Sequence, residues 1–348
     1  MSAIQLNATQ LQSLLSETIP ARIPVLVQGA PGIGKSDVLT KAAADAGADL
    51  ILSHPAVSDP TDVKGLPWIV KGKSGDSATF LPFGDLEQAI NAKKPTVWFL
   101  DDLGQASPAV QASFMQLLLA RAVNGHSISE HVVFVAATNR RTDRAGVTGI
   151  LEPVKSRFGT IVELMPDLDS WCNWAIDNDV NPLLIAFLRF KPDLLCAFSA
   201  TNDLSNSPVP RTWSHVNKLL NLTLSPAVQT AAVAGAVGEG AAVEFAAFQK
   251  LWQQLPNIDQ ILIDPKSVPI PTNPAVLYSL ASALATKVTP TNFARIAAYV
   301  NRMVDAGSAE FGVLCVRDCL RRDNSLTQSS AFVKLATSEL GRLISGKD

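Results

Sequence analysis

The chain has 348 residues, 47% of them apolar, with 29 basic side chains against 31 acidic ones. That length admits two or three domains with sizeable cores, and the near-neutral balance excludes an overall field that would hold the chain to nucleic acid or an anionic membrane. No run reaches the roughly 18 uninterrupted apolar residues of a membrane helix, and Met1–Thr18 lacks the basic and apolar regions of a leader, so a cytoplasmic, reducing location without a membrane partner is expected. The four cysteines, Cys172, Cys196, Cys315 and Cys319, contain no C-x-x-C pair and read as buried thiols rather than disulfides or metal ligands.

Residues 8–17 carry the pattern of a short amphipathic helix, and Pro20 and Pro24 bring the chain extended into an apolar strand, Val25–Val27. Gly29-Ala30-Pro31-Gly32-Ile33-Gly34-Lys35-Ser36 follows and fits G-x-x-x-x-G-K-[ST]. In such a loop the glycines let successive N–H groups curl inward around polyanionic phosphate, and the helix beginning near Lys35 adds its positive end. Lys35 would reach the β and γ phosphates, the Ser36 hydroxyl would ligate Mg²⁺, and Asp37 completes the expected nucleotide-binding set, with Mg·ATP as ligand. A second strand is expected at 49–53. Residues 54–94 are crowded with turn formers, and Trp68–Val70 and Thr79–Leu81 flank a Gly72–Gly75 tip, which predicts a hairpin inserted into the core and closed by a helix over 86–92.

Pro95–Asp102 is an apolar run of strand length that ends in two carboxylates, the form of a central strand presenting acids at its C-terminal edge. Asp101 and Asp102 also read as caps for the next helix, Ser107–Ala120. Asn124-Gly125 predicts a second tight hairpin, and Val132–Ala137 a further buried strand ending in Thr138-Asn139. An amide placed there can hydrogen-bond both a γ phosphate and a water. Arg140, Arg141 and Arg144 read as solvated or boundary charges around Asp143. Thr160–Leu164 is the last expected core strand.

Taken together, Gly29–Ser36, Leu100-Asp101-Asp102, Ala137-Thr138-Asn139 and Ser156-Arg157-Phe158 resemble, in order, the nucleotide loop, acidic strand, sensor-1 and arginine-finger motifs of AAA+ ATPases. The two hairpins resemble the helix-2 insert and pre-sensor hairpin of the MoxR-type branch, which includes the rubisco-activating and nitric-oxide-reductase-activating ATPases. Val209–Trp213 resembles the sensor-2 region of the lid, with Arg211 as its arginine. The resemblance implies that Asp101 joins Ser36 in holding Mg²⁺, that Asp102 orients the attacking water, and that Asn139 senses the γ phosphate. It also implies a homo-oligomeric, commonly hexameric ring in which Arg157 acts on a neighbour's ATP, and a protein partner, for which a von Willebrand A-domain protein is plausible. The family usually carries Glu where this chain has Asp102, which leaves open a slow, nucleotide-switched assembly scaffold. A nucleic-acid translocase is disfavoured by the neutral charge.

The expected architecture is therefore α/β: a P-loop αβα parallel-sheet core with inserted hairpins over 1–166, an all-α lid over 167–255, and a linker with a helical extension over 256–348. Lid helices are predicted at 169–177, 181–190, 211–222 and 226–254, the last interrupted by a glycine-rich 235–240, with Trp171, Trp174, Trp213 and Trp252 as core anchors. The proline-rich Leu255–Pro274 reads as an extended linker or surface strap, and helices follow at 275–287, 291–305, 308–321 and 327–344.

Overall fold

The computed structural model describes residues 4–71, 75–143, 146–201, 203–338 and 341–343. Gly72, Lys73 and Ser74 of the expected hairpin tip, Arg144, and residues 339, 340 and 344 of the last expected helix lie outside the described residues. The chain packs as two compact units, one running to Asp167 and taking in the short segment from Phe198, the other holding Leu168–Ala197 and the chain from Asp203 onward.

The first unit is built on strands β1 (Ile4–Leu6), β2 (Val25–Gly29), β3 (Asp49–Ser53), β6 (Thr96–Leu100), β9 (Val132–Asn139) and β10 (Thr160–Leu164). All are parallel, in the order β1-β10-β2-β9-β6-β3. The central β6 and β9 are buried on both faces, which is why they read as unbroken apolar runs. Leu26, Trp98, Leu100, Phe134 and Ala136 share one face with Phe114 and Leu117 of helix α5 (Pro108–Ala120), where Trp98 stacks on Phe134 at a centroid distance of 5.2 Å. Helix α1 (Ala8–Thr18) packs on α2 (Lys35–Asp45), which in turn packs on β2, β6 and β9. This is the expected α/β fold, a parallel P-loop sheet between helical layers.

Between β3 and β6 the chain forms helix α3 (Pro60–Lys64), the antiparallel pair β4 (Leu66–Val70) and β5 (Ser77–Leu81), and helix α4 (Gly84–Asn91). The sequence reading missed α3, which is set by Asp59: its carboxylate caps Thr61 N–H at 2.9 Å ahead of Pro60 at the first turn. Every β4 residue is exposed, Trp68 at 59%. The second pair, β7 (Ala122–Val123) and β8 (His126–Ser127), turns through Asn124 (φ 49°) and Gly125 (φ 84°), the two left-handed residues that a tight hairpin demands. The short α6 (Glu152–Lys155) precedes β10. The edge strand β1 was also missed, since three residues carry too little periodicity to register.

Among the described residues the second unit is all helical: α7 (Leu168–Asp177), α8 (Pro182–Phe190), α9 (Pro210–Leu220), α10 (Pro226–Val237), α11 (Glu239–Trp252), α12 (Ile258–Ile263), α13 (Pro274–Thr286), α14 (Phe293–Asp305), α15 (Ala309–Arg322) and α16 (Ser330–Ala336). The single helix expected over 226–254 is two, because Gly238 at φ 83° ends α10 and starts α11. The expected linker contains α12 and is tied down: Tyr299 OH donates to Pro269 O at 2.9 Å and the Arg302 guanidinium donates to Pro265 O and Val268 O. The last expected helix becomes a 3₁₀ turn, Asn324–Gln328, followed by the shorter α16, whose start is fixed by the Ser329 cap. Trp171 and Trp213 are buried as expected, but Trp174 is exposed and Trp252 half-buried. Cys172, Cys315 and Cys319 are buried free thiols, and burial pushes Cys172 up to about 11.

A buried ion pair links α8 to α15. Arg189 donates to both carboxylate oxygens of Asp318, at 2.6 and 2.8 Å, with the side chains 8% and 7% exposed. Burial works against the guanidinium charge, but the fork onto the carboxylate outweighs it and raises the Arg189 pKa. Replacing Arg189 with Leu strands a buried carboxylate and should cost about 3–5 kcal/mol, whereas Arg189→Leu with Asp318→Leu should recover most of that loss. Chemical denaturation of the two variants checks both values.

Candidate nucleotide site

The phosphate loop joins the end of β2 to the start of α2. Gly32 and Gly34 take φ of 76° and 93°, the left-handed conformations that curl the loop, and at Gly29 a Cβ would meet Ile33 Cδ1 at 2.6 Å and the Leu164 carbonyl oxygen at 2.9 Å. Gly34, as N-cap, supplies no side-chain acceptor to the first turn of α2, which leaves its N–H groups and positive end suited to an anion. Lys35 is buried and folds back over the loop: Nζ donates to Gly29 O at 3.1 Å, Ala30 O at 2.9 Å and Asn139 Oδ1 at 2.7 Å.

The acids arrive from the next strand but one. Gly29 pairs with Asn139 and Leu100 with Ala136, so the C-terminal ends of β2, β9 and β6 lie side by side. Ser36 Oγ donates to Asp101 Oδ2 at 2.8 Å, and Asp101 N donates to Ser53 O at 2.9 Å. Asp102 holds the left-handed φ of 56°, and its Oδ1 accepts from Gln105 Nε2 at 2.8 Å and from Asn139 Nδ2 at 3.3 Å. Asn139 thus spans lysine and carboxylate with one amide. Its orientation is fixed chemically, since the opposite flip would set NH₂ against the ammonium and oxygen against the carboxylate.

The remaining candidates are Arg157, Arg211 and Asp37. Arg157, half-buried beyond α6, donates to Pro153 O and, at 3.1 Å, to Ser156 Oγ. Arg211 is exposed in the first turn of α9, in the second unit. Asp37 lies in the first turn of α2. The expectation of solvated charges fails for Arg140. It forks onto Asp143 at 2.9 Å and bonds Glu163 at 3.2 Å, both acids buried, and its pKa is raised chiefly by the Asp143 bond. That network anchors the turn beyond Asn139.

Residues 24–158 match the AAA domain, dynein-related subfamily. The chain carries an AAA ATPase domain. The match spans the phosphate loop, both acids, Asn139 and Arg157, and ends before Arg211. Among curated proteins none matches the chain. The chain is similar to the solved structure of the Thermotoga maritima RuvB Holliday junction branch migration motor, at 17% identity over 80% of this chain and 80% of that one, with a TM-score of 0.38. It is also similar to Brucella abortus NtrX in complex with ADP, at 12% identity over 96% of this chain and 68% of that one, with a TM-score of 0.41.

Two features of the AAA domain went unread in the sequence. Gln105 holds Asp102, and its only sequence signal is the spacing of three residues that a turn brings together. Gly104 fits the turn against β9 so closely that a Cβ would meet Thr138 Oγ1 at 2.2 Å. Gly104→Ala should therefore destabilise the AAA domain by about 1–3 kcal/mol, and Thr138→Ala in the same chain should restore much of it, as read by thermal melting.

Proposed function

We propose that the protein is a ring-forming, MoxR-type AAA+ ATPase that binds Mg·ATP and uses its hydrolysis to remodel or activate a protein partner. The observation that carries this reading is the single hydrogen-bonded cluster of Lys35, Asn139 and Asp102 beside the Ser36–Asp101 pair. Each group in it has a use. Loop amides and Lys35 would grip the phosphates, and Ser36 with Asp101 would hold Mg²⁺ through hard oxygen donors, which suit an ion that keeps part of its water and phosphate shell. Asp102 would take the proton of the attacking water, worth typically 10²–10⁴-fold in rate. Arg157 would fork onto the γ phosphate of a neighbouring protomer in a ring, commonly a hexamer, an effect worth roughly 10³–10⁵. Arg211 would report phosphate state through a lid over 167–255 that follows a core over 1–166, leaving 256–348 as a helical extension.

The hairpins supply a route for work. Trp98 Nε1 donates to Ser53 Oγ at 2.7 Å, and Ser53 Oγ donates to Asp85 at the start of α4, so the root of the β4–β5 insert is bonded to the strand that bears the acids. The second hairpin is bonded to the first: Asn124 Nδ2 donates to Lys64 O at 2.8 Å and His126 Nε2 to Phe80 O at 2.7 Å. Exposed Leu66, Trp68 and Ile69 on β4 are suited to a protein surface, and a von Willebrand A-domain protein in the cytoplasm is a plausible recipient. Near-neutral charge counts against nucleic acid as that recipient.

The test is phosphate release from wild type and from Lys35→Ala, Asp101→Ala and Arg157→Ala. All three substitutions should lower turnover by at least roughly tenfold, and equal rates in all four proteins would remove the reading. Asp102 supports a second one, a slow switch whose ATP occupancy sets assembly. In that case Asp102→Glu should raise turnover without improving partner activation, whereas a rise in both favours the motor.

A further inference from the structure

Gln105 carries a feature that stability alone does not explain. Its Nε2 donates to Asp102 Oδ1 at 2.8 Å, while its Oε1 is buried and has no partner among the described residues. An orphaned buried acceptor costs the fold the full desolvation of that oxygen. Turning the amide over brings no relief, since its oxygen would then face a carboxylate. The turn that bears it is also fixed. Gly104 abuts Thr138, Thr148 N donates to Gly104 O at 3.2 Å, and Gln105 N donates to Asp102 O at 3.0 Å.

The two oxygens of Asp102 are treated differently. Oδ1 accepts both amides, whereas Oδ2 accepts no hydrogen bond among the described residues. The two amides differ as well. Asn139 is the longer contact at 3.3 Å, and its Oδ1 accepts from Lys35, so a phosphate that takes over the lysine removes one of the two bonds that fix this amide. The Gln105 amide serves Asp102 alone.

We propose that Gln105 is the positioning residue for Asp102: it holds the carboxylate by Oδ1 and keeps Oδ2 as the proton acceptor when Asn139 turns to phosphate. This rests on the proposed role of Asp102 as base. In that step the water oxygen bonds to the γ phosphorus, and the bond from that phosphorus to the β–γ bridging oxygen breaks, its electron pair leaving with ADP. The water proton passes to Oδ2, and inorganic phosphate is the second product. Gln105 exchanges no proton.

The experiment is Gln105→Met, which keeps the length and removes both the donor and the orphaned oxygen. Single-turnover hydrolysis of labelled ATP, nucleotide affinity and the melting temperature are measured on it, on Asp102→Asn and on the double variant. The expected result is a fall in kcat of roughly tenfold to a hundredfold, with nucleotide affinity kept and a melting temperature equal to or above wild type. In the Asp102→Asn background the same change should add no further loss. Full kcat in Gln105→Met with Asp102→Asn impaired would overturn the positioning role alone, as would an additive double variant or a lower melting temperature with weakened nucleotide binding. Asp102→Asn at the wild-type rate would overturn the base assignment itself.

Discussion

The site depends on one amide. Asn139 places its carbonyl on the Lys35 ammonium and its NH₂ on the Asp102 carboxylate, and both bonds have a charged partner, which makes them stronger than a neutral pair. This contact exists only because β9 lies between β2 and β6 in the register that sets Gly29 opposite Asn139 and Leu100 opposite Ala136. A slip of one residue would turn Asn139 to the other face of the sheet and would also expose Phe134 and Ala136 to the wrong layer. The packing that buries both faces of β9 therefore holds the polar geometry at its tip, and core packing and chemistry are the same constraint seen from two ends.

Ser53 extends that constraint outward. Its carbonyl accepts from Asp101 N–H, and its hydroxyl accepts from Trp98 and donates to Asp85. Residues 54–84 of the insert thus leave from and return to a point bonded to the acidic strand end. The β4–β5 pair draws little stability from a core, since every β4 residue is exposed and Thr79 and Phe80 of β5 are only half-buried, and a two-stranded ribbon is marginal alone. Its position is set at its root, by Gly65 at φ 86° lying under the Leu81 carbonyl and by the bonds from Asn124 and His126.

How much of this was legible follows from the kind of signal each feature leaves. Buried parallel strands announce themselves through runs such as Val97–Leu100 and Val132–Ala137, and the phosphate loop through glycines whose spacing only a curled backbone requires. The glycine-rich interruption at 235–240 was visible, but not that Gly238 would break the helix outright, since a left-handed glycine and a tolerated one are the same letter. The strap through α12 was hidden because its order comes from Tyr299 and Arg302, some thirty residues away and silent about their targets. Arg140 was misread for a related reason: its partner Glu163 sits on β10, and no local pattern predicts a carboxylate turned inward from a strand.

The use of aspartate at position 102 has a local physical logic. The residue stands at φ 56° and ψ 34°, where a side chain with a Cβ is strained by about 1–2 kcal/mol and where Asp is among the few residues that tolerate it. The backbone there is held by Asp102 N–H on Asp101 Oδ1 at 3.0 Å and by the turn closing through Gln105 N–H. A short carboxylate in that conformation meets Gln105 and Asn139, whereas glutamate would add one rotatable bond to freeze. The departure from glutamate therefore comes with its own support, a glutamine three residues on and a glycine that lets the turn close against Thr138. Aspartate, glutamine and glycine work as one unit, and the acid is best understood from the turn that holds it.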